Sequence, residues 1–263
     1  MKTDLHYHDN GVKGPTIVFV HGNSCSGEYF KHQLTSPGLA EKYRMITVDL
    51  PGHGGSPHLE DKSGYTLNGL AVALEGFINQ LDTDKLVLAG HSLGGHVSIH
   101  ASPKIKKLVG MMIWGTPPVA VAPKFEEAFT DNPLMGMFYV DKWTEEMKSS
   151  LCSINHLTGE KRIAIETSYE KSDPGFRTSF GASIGDLTSF SDEQEILKAC
   201  KASVALLHGE EDPFIRGSYF DTLNFSCLWR KKVQKIEGVS HYMHLEAPEK
   251  FNNVLHSFLS ELF

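Results

Sequence analysis

The chain has 263 residues, 40% hydrophobic and 22% charged, and a formal net charge of −7. That composition suits a packed globular domain and excludes a disordered chain. The acidic balance argues against a nucleic-acid surface, which needs clustered Lys and Arg; the short basic clusters at 104–107 and 230–232 flank apolar runs and read as solvated strand entries.

The predicted elements alternate. The opening stretch 4–14 carries Asn10-Gly11, a turn signal suited to an antiparallel hairpin at one sheet edge. Strands follow at 16–22 and 43–50, then a helix at 66–81 with apolar residues spaced by three and four. Further strands are expected at 85–92, 107–115, 203–209 and 232–238, and a closing helix at 247–263 with Pro248 near its first turn. Several strands are unbroken apolar runs, as burial on both faces of a parallel sheet requires. The pattern implies an α/β fold with a mostly parallel central sheet flanked by helices. It breaks at 117–196, where helical pieces and aromatics such as Phe125, Phe129, Phe138 and Trp143 replace strands. That segment is too long for a plain loop and reads as a helical cap over the carboxyl edge of the sheet. The expected organisation is one domain, with a core at 1–116 and 197–263 and a cap at 117–196.

Four cysteines, at 25, 152, 200 and 227, match neither a zinc site nor a disulfide scaffold. No apolar leader opens the chain, and no run is long enough to span a bilayer. The expectation is a cytoplasmic protein without stable membrane association.

The chemistry concentrates at "GHSLGG", 90–95, where a strand ends and a helix begins. Ser92 there fits a nucleophile elbow, a sharp turn that exposes a serine hydroxyl above the sheet. Such a serine needs a base, and the base needs an orienting acid. In this arrangement both follow the serine, the acid first. "GEEDPF" supplies Asp212, with Glu211 as the alternative, and "VSHYMHLEAP" supplies His241, with His244 three residues on. Backbone N–H groups of Leu93 and of Asn23, in the loop 21–27, are the expected oxyanion donors. Gly22, His91, Met147, Phe214 and His244 are the expected substrate contacts. His96 and His100 have metal-pair spacing but lack the adjacent Glu of the zincin motif, so no metal site and no cofactor are expected.

Together "HGNSCSGEYF", "VDLPGHGGS", "GHSLGG", "GEEDPF" and "VSHYMHLEAP" resemble the α/β-hydrolase superfamily over almost the whole chain. With "WGTPPVA" at the entrance to the cap, they are similar to its cofactor-free N-acyl-homoserine lactone hydrolases, the quorum-quenching lactonases. That group's acid can be Glu where this chain has Asp212, and the cap is much less similar. The resemblance implies lactone ring opening through an acyl-enzyme, on a small ester or lactone with an apolar acyl chain. A general carboxylesterase or thioesterase shares the same residues, and a ligand receptor without turnover is the reading from another class. A homodimer is left open.

Overall fold

A computed structural model describes residues 4–121, 125–184, 186 and 191–263. Seven strands form one sheet: β1 (Tyr7–Asp9), β2 (Thr16–Val20), β3 (Arg44–Val48), β4 (Leu86–His91), β5 (Leu108–Trp114), β6 (Ser203–Gly209) and β7 (Gln234–Ile236). Their order is β1-β3-β2-β4-β5-β6-β7, parallel throughout except for β1. The chain winds outward from β2 in one direction and then the other. The switch point lies between β2 and β4, the place where open α/β sheets bind ligands beyond their carboxyl ends.

β1 corrects one expectation. It lies antiparallel at an edge, but its partner is β3 and not the adjacent β2. Asn10 explains this. Its backbone N–H donates to Met45 O, its amide donates to Tyr43 O, and its Oδ1 accepts from Met45 N–H. The turn residue is thereby tied to the edge of β3 and does not close a hairpin.

The helices named in chain order are α1 (Lys31–Leu34), α2 (Pro37–Ala40), α3 (Leu67–Gln80), α4 (Leu93–Ala101), α5 (Phe125–Ala128), α6 (Glu145–Ile154), α7 (Glu160–Glu170), α8 (Pro174–Ile184), α9 (Glu193–Ala199), α10 (Met243–Glu246) and α11 (Pro248–Leu262). Thr66 caps α3 by accepting from Gly69 N–H, and Pro248 occupies the first turn of α11, where its missing N–H costs nothing.

Strand periodicity divides the core between the two faces of the sheet. Ile17, Phe19, Val87, Ala89 and Trp114 pack with Phe251, Leu255 and Phe258 of α11. Val18, Val20, Leu86, Leu88 and Ile113 pack with Leu70, Leu74 and Ile78 of α3 and Val97 of α4. Side chains one residue apart thus feed opposite layers, which is why the strands are apolar at nearly every position.

Among the described residues between β5 and β6 the chain forms helices, α5 to α9 with a 3-10 stretch at Pro133–Tyr139. Residues 122–124, 185 and 187–190 of the expected cap lie outside the described residues. α9 straddles the expected boundary at 196 and packs against α4, so this helix sits on the core.

Candidate active site

β4 is buried from end to end and delivers Ser92 to a turn with φ 52° and ψ −119°. A left-handed conformation at a non-glycine residue is strained by roughly 1–3 kcal/mol, and it persists only where the surroundings fix it. Here Ser92 N–H donates to Trp114 O, and Thr116 Oγ1 donates to Ser92 O, so the turn is pinned to the end of β5. The turn also needs Gly94, because a Cβ there would stand 2.2 Å from Val20 O.

Ser92 lines a cavity of about 530 Å³ at the carboxyl end of the sheet, together with Asn23, Leu93, His96, Phe214 and His241. Apolar side chains from between β5 and β6, among them Phe129, Met135, Phe138 and Phe180, close much of the rest. As the first residue of α4, Leu93 has no intrahelical acceptor for its N–H.

His241 Nδ1 lies 2.8 Å from Asp212 Oδ2. Asp212 Oδ1 accepts from the backbone N–H groups of Phe214 and Ile215, which fixes the carboxylate in the loop after β6. With the proton on Nδ1 toward the carboxylate, His241 presents Nε2 as its basic nitrogen. Gly115 permits this placement: its φ is +61°, and a Cβ there would meet His241 Cε1 at 2.7 Å. Phe214 packs edge-on against the same imidazole at 5.2 Å. Glu211, the alternative acid, is exposed and lies near His156.

Four expected substrate contacts line no part of this cavity. Gly22 and His91 lie behind it in a hydrogen-bond chain. Gly22 N–H donates to Tyr29 Oη at 2.8 Å, and Tyr29 Oη pairs with His91 Nδ1 at 2.8 Å. His91 Nε2 donates to His241 O at 3.0 Å. Burial and the nearby His241 and His244 hold the His91 pKa well below the usual histidine range. A neutral His91 that donates from Nε2 must accept the Tyr29 hydroxyl proton at Nδ1, so the chain is internally consistent. His244 is also wholly buried and accepts from Trp114 Nε1 at 3.1 Å. Met147 packs on the core from α6. Burial excludes Gly22, His91 and His244 from substrate contact, and Met147 faces other side chains.

Three residues that organise the site carry no local sequence signal: Tyr29, Glu193 and Arg177. Arg177, on α8, is 2% exposed. It donates to Ser24 Oγ, Ser172 Oγ, Val140 O and Asp141 O and lies over the rings of Tyr169 and Trp143. Ser24 Oγ in turn donates to Asn23 Oδ1, and Asn23 Nδ2 donates to Phe138 O. The loop after β2 is therefore held by the segment above it.

A strained serine over a switch point, lining one cavity with a carboxylate-backed histidine, matches the comparison with family models: the Alpha/beta hydrolase family model aligns with residues 17–254. The chain belongs to the Alpha/beta hydrolase family. Among solved structures, it is similar to a mutant of the N-acyl homoserine lactonase AidH complexed with N-hexanoyl homoserine lactone. That match has a TM-score of 0.90 and 26% identity, and it covers 100% of this chain and 97% of the other. Among curated proteins, a 2-hydroxy-6-oxononadienedioate/2-hydroxy-6-oxononatrienedioate hydrolase from Pseudomonas putida is 24% identical over 98% of this chain and 92% of its own. Protein PHYLLO, chloroplastic, from Arabidopsis thaliana is 23% identical, and this chain spans only 16% of its length. As a member of this family, with lactonase and hydrolase relatives, the protein is a hydrolase.

Proposed function

We propose that this hydrolase opens the lactone ring of N-acyl homoserine lactones. The observation that carries the reading is the convergence of Ser92, His241 and Asn23 on one largely apolar cavity, in a fold that superposes on a lactonase over its whole length.

In the proposed reaction His241 Nε2 takes the Ser92 hydroxyl proton as Oγ attacks the lactone carbonyl. The N–H groups of Leu93 and Asn23 receive the developing oxyanion, the interaction that most lowers such barriers. Asp212 holds the imidazole in the required tautomer and stabilises its charged form. The imidazolium then gives its proton to the ring oxygen as the acyl bond to that oxygen breaks, leaving an ester on Ser92. The freed hydroxyl remains tethered, so water activated by His241 must attack before the ring recloses. Water attack releases the N-acyl homoserine and restores Ser92. Each step uses protein groups and water. Residues 117–196 serve as the cap, and its aromatic wall receives the acyl tail.

Incubation with short- and long-chain acyl-homoserine lactones, followed by product mass, tests the reading. Ring opening adds one water to the substrate mass, and acid recloses the ring. Ser92→Ala should lower turnover by at least about 10⁴-fold. Brisk cleavage of simple esters by the wild type with no lactone opening would replace the lactonase by a general esterase. Unchanged ring opening in Ser92→Ala would remove the serine mechanism altogether.

A further inference from the structure

The cavity wall holds a second histidine backed by a carboxylate. His96, on α4 one helical turn beyond Ser92, lines the cavity, and its Nδ1 lies 2.8 and 3.0 Å from the two oxygens of Glu193. Glu193 is wholly buried at the start of α9. Its Oε2 also accepts from Val119 N–H at 2.8 Å, and its Oε1 lies 3.4 Å from His100 Nε2. Burial pushes this carboxyl up, but the two histidines outweigh it and hold the group down at about 2. Glu193 therefore stands as a carboxylate that orients the His96 ring, as Asp212 orients the ring of His241.

With Nδ1 committed to Glu193, Nε2 is the nitrogen that His96 can offer a ligand. In the neutral ring it accepts a hydrogen bond from a ligand, and in the imidazolium it donates one. His96 is tied to the nucleophile turn, since its backbone N–H donates to Ser92 O at 3.3 Å and both residues line the cavity, so the ring addresses a substrate group near the carbonyl under attack at Ser92. Most of the remaining lining is apolar, Leu67, Leu93, Val119 and Phe180 among it. A hydrogen-bonding ring in such a wall rewards a polar group at one place on the substrate. An amide meets the requirement in either protonation state, because it offers both an N–H and a C=O. In an N-acyl homoserine lactone the amide nitrogen is bonded to the carbon next to the lactone carbonyl.

We propose that His96, oriented by Glu193, is a specificity-determining residue that hydrogen-bonds a substrate amide adjacent to the scissile carbonyl. The proposal rests on the lactonase reading for its substrate but separates from it in the test. It selects N-acylated lactones and esters over alkyl ones of the same length, and it adds a role that the Ser92, His241 and Asp212 chemistry does not contain.

The experiment compares kcat/KM of the intact protein for N-hexanoyl homoserine lactone and for a γ-butyrolactone bearing an α-alkyl chain of the same length. The variants are His96→Phe and, to avoid stranding a buried carboxylate, His96→Phe with Glu193→Gln; thermal melts confirm folding. The ratio of amide to alkyl kcat/KM should fall about 10–100-fold in both variants, the loss of one well-placed hydrogen bond in a dry site. An equal fall on both substrates would assign His96 to holding α4 against α9 and overturn the proposal, as would an unchanged ratio. Should the wild type open neither lactone, the lactonase reading fails alone. The same ratio is then read on p-nitrophenyl esters of an N-acylglycine and of the matching fatty acid, where loss of amide preference upholds the role of His96 and its retention removes it.

Discussion

The Tyr29 hydroxyl joins three segments that meet only in the folded chain. It accepts from Gly22 N–H in the loop that carries Asn23, and it pairs with His91, which donates onward to the carbonyl of His241. Removing it leaves two buried polar groups without partners, at a cost of about 1–3 kcal/mol each. Tyr29→Phe should therefore lower kcat about 10-fold or more while KM changes little, because the substrate does not touch Tyr29. Steady-state kinetics with a chromogenic ester check this, and a loss confined to KM would contradict it. None of this chain could be read from the sequence: Tyr29 and His91 are 62 residues apart, and each looks like an ordinary core residue. The proposed serine, acid and histidine are legible as candidates because each stands at a strand end in a recognisable local setting. His91 and His244 were misassigned to the substrate because proximity in sequence to Ser92 and His241 says nothing about the direction a side chain takes.

At the scale of elements, α8 and α9 reach down from the segment between β5 and β6 onto the core. Arg177 of α8 is the stronger tie, since its guanidinium bonds Ser24 Oγ beside Asn23 while stacking on Tyr169. Burial lowers its pKa, yet it has four acceptors and two rings around it and remains the cation that joins α8 to the loop after β2. Arg177→Met keeps much of the stem packing and removes the hydrogen bonds. It should lower the melting temperature by several degrees and lower kcat/KM about 10-fold or more through displacement of the Asn23 loop. Calorimetry and kinetics on the purified variant check both; full activity would show that the loop after β2 holds itself. The helices among the described residues between β5 and β6 follow from composition, but their attachment points do not. Arg177 and Ser24 are 153 residues apart, and His96 and Glu193 are 97 apart.

For the whole molecule, four fully buried histidines set the response to acid. Burial lowers the pKa of His21 below the ordinary 6.5 and places those of His53, His91 and His244 well below it. Each is neutral in the fold and protonates more readily once unfolded. Below about pH 6.5 the unfolded chain therefore binds more protons than the folded one, and stability falls with pH. The contribution is fully present above that pH and is lost as pH drops toward the folded values. The slope approaches about 1.4 kcal/mol per pH unit for each histidine. Urea midpoints measured from pH 8 to pH 5.5 should stay level above pH 7 and then decline steeply; a flat profile would mean that these rings are solvated.

The parallel strands, the order of the proposed serine, acid and histidine, and the tight turn at Ser92 are written in the sequence. Those depend on local signals: apolar runs of strand length, glycines where no Cβ fits, and a serine between them. The sequence also carried the likeness to lactonases through short motifs at strand ends. Which histidines face the cavity, the pairing of β1 with β3, and the hold of Tyr29, Arg177 and Glu193 on the site emerge in the folded chain alone. The physical reason is that burial and hydrogen-bond partnership arise between segments brought together by packing. A polar side chain has the same letter whether it meets substrate, a buried carboxylate or the wall of the core.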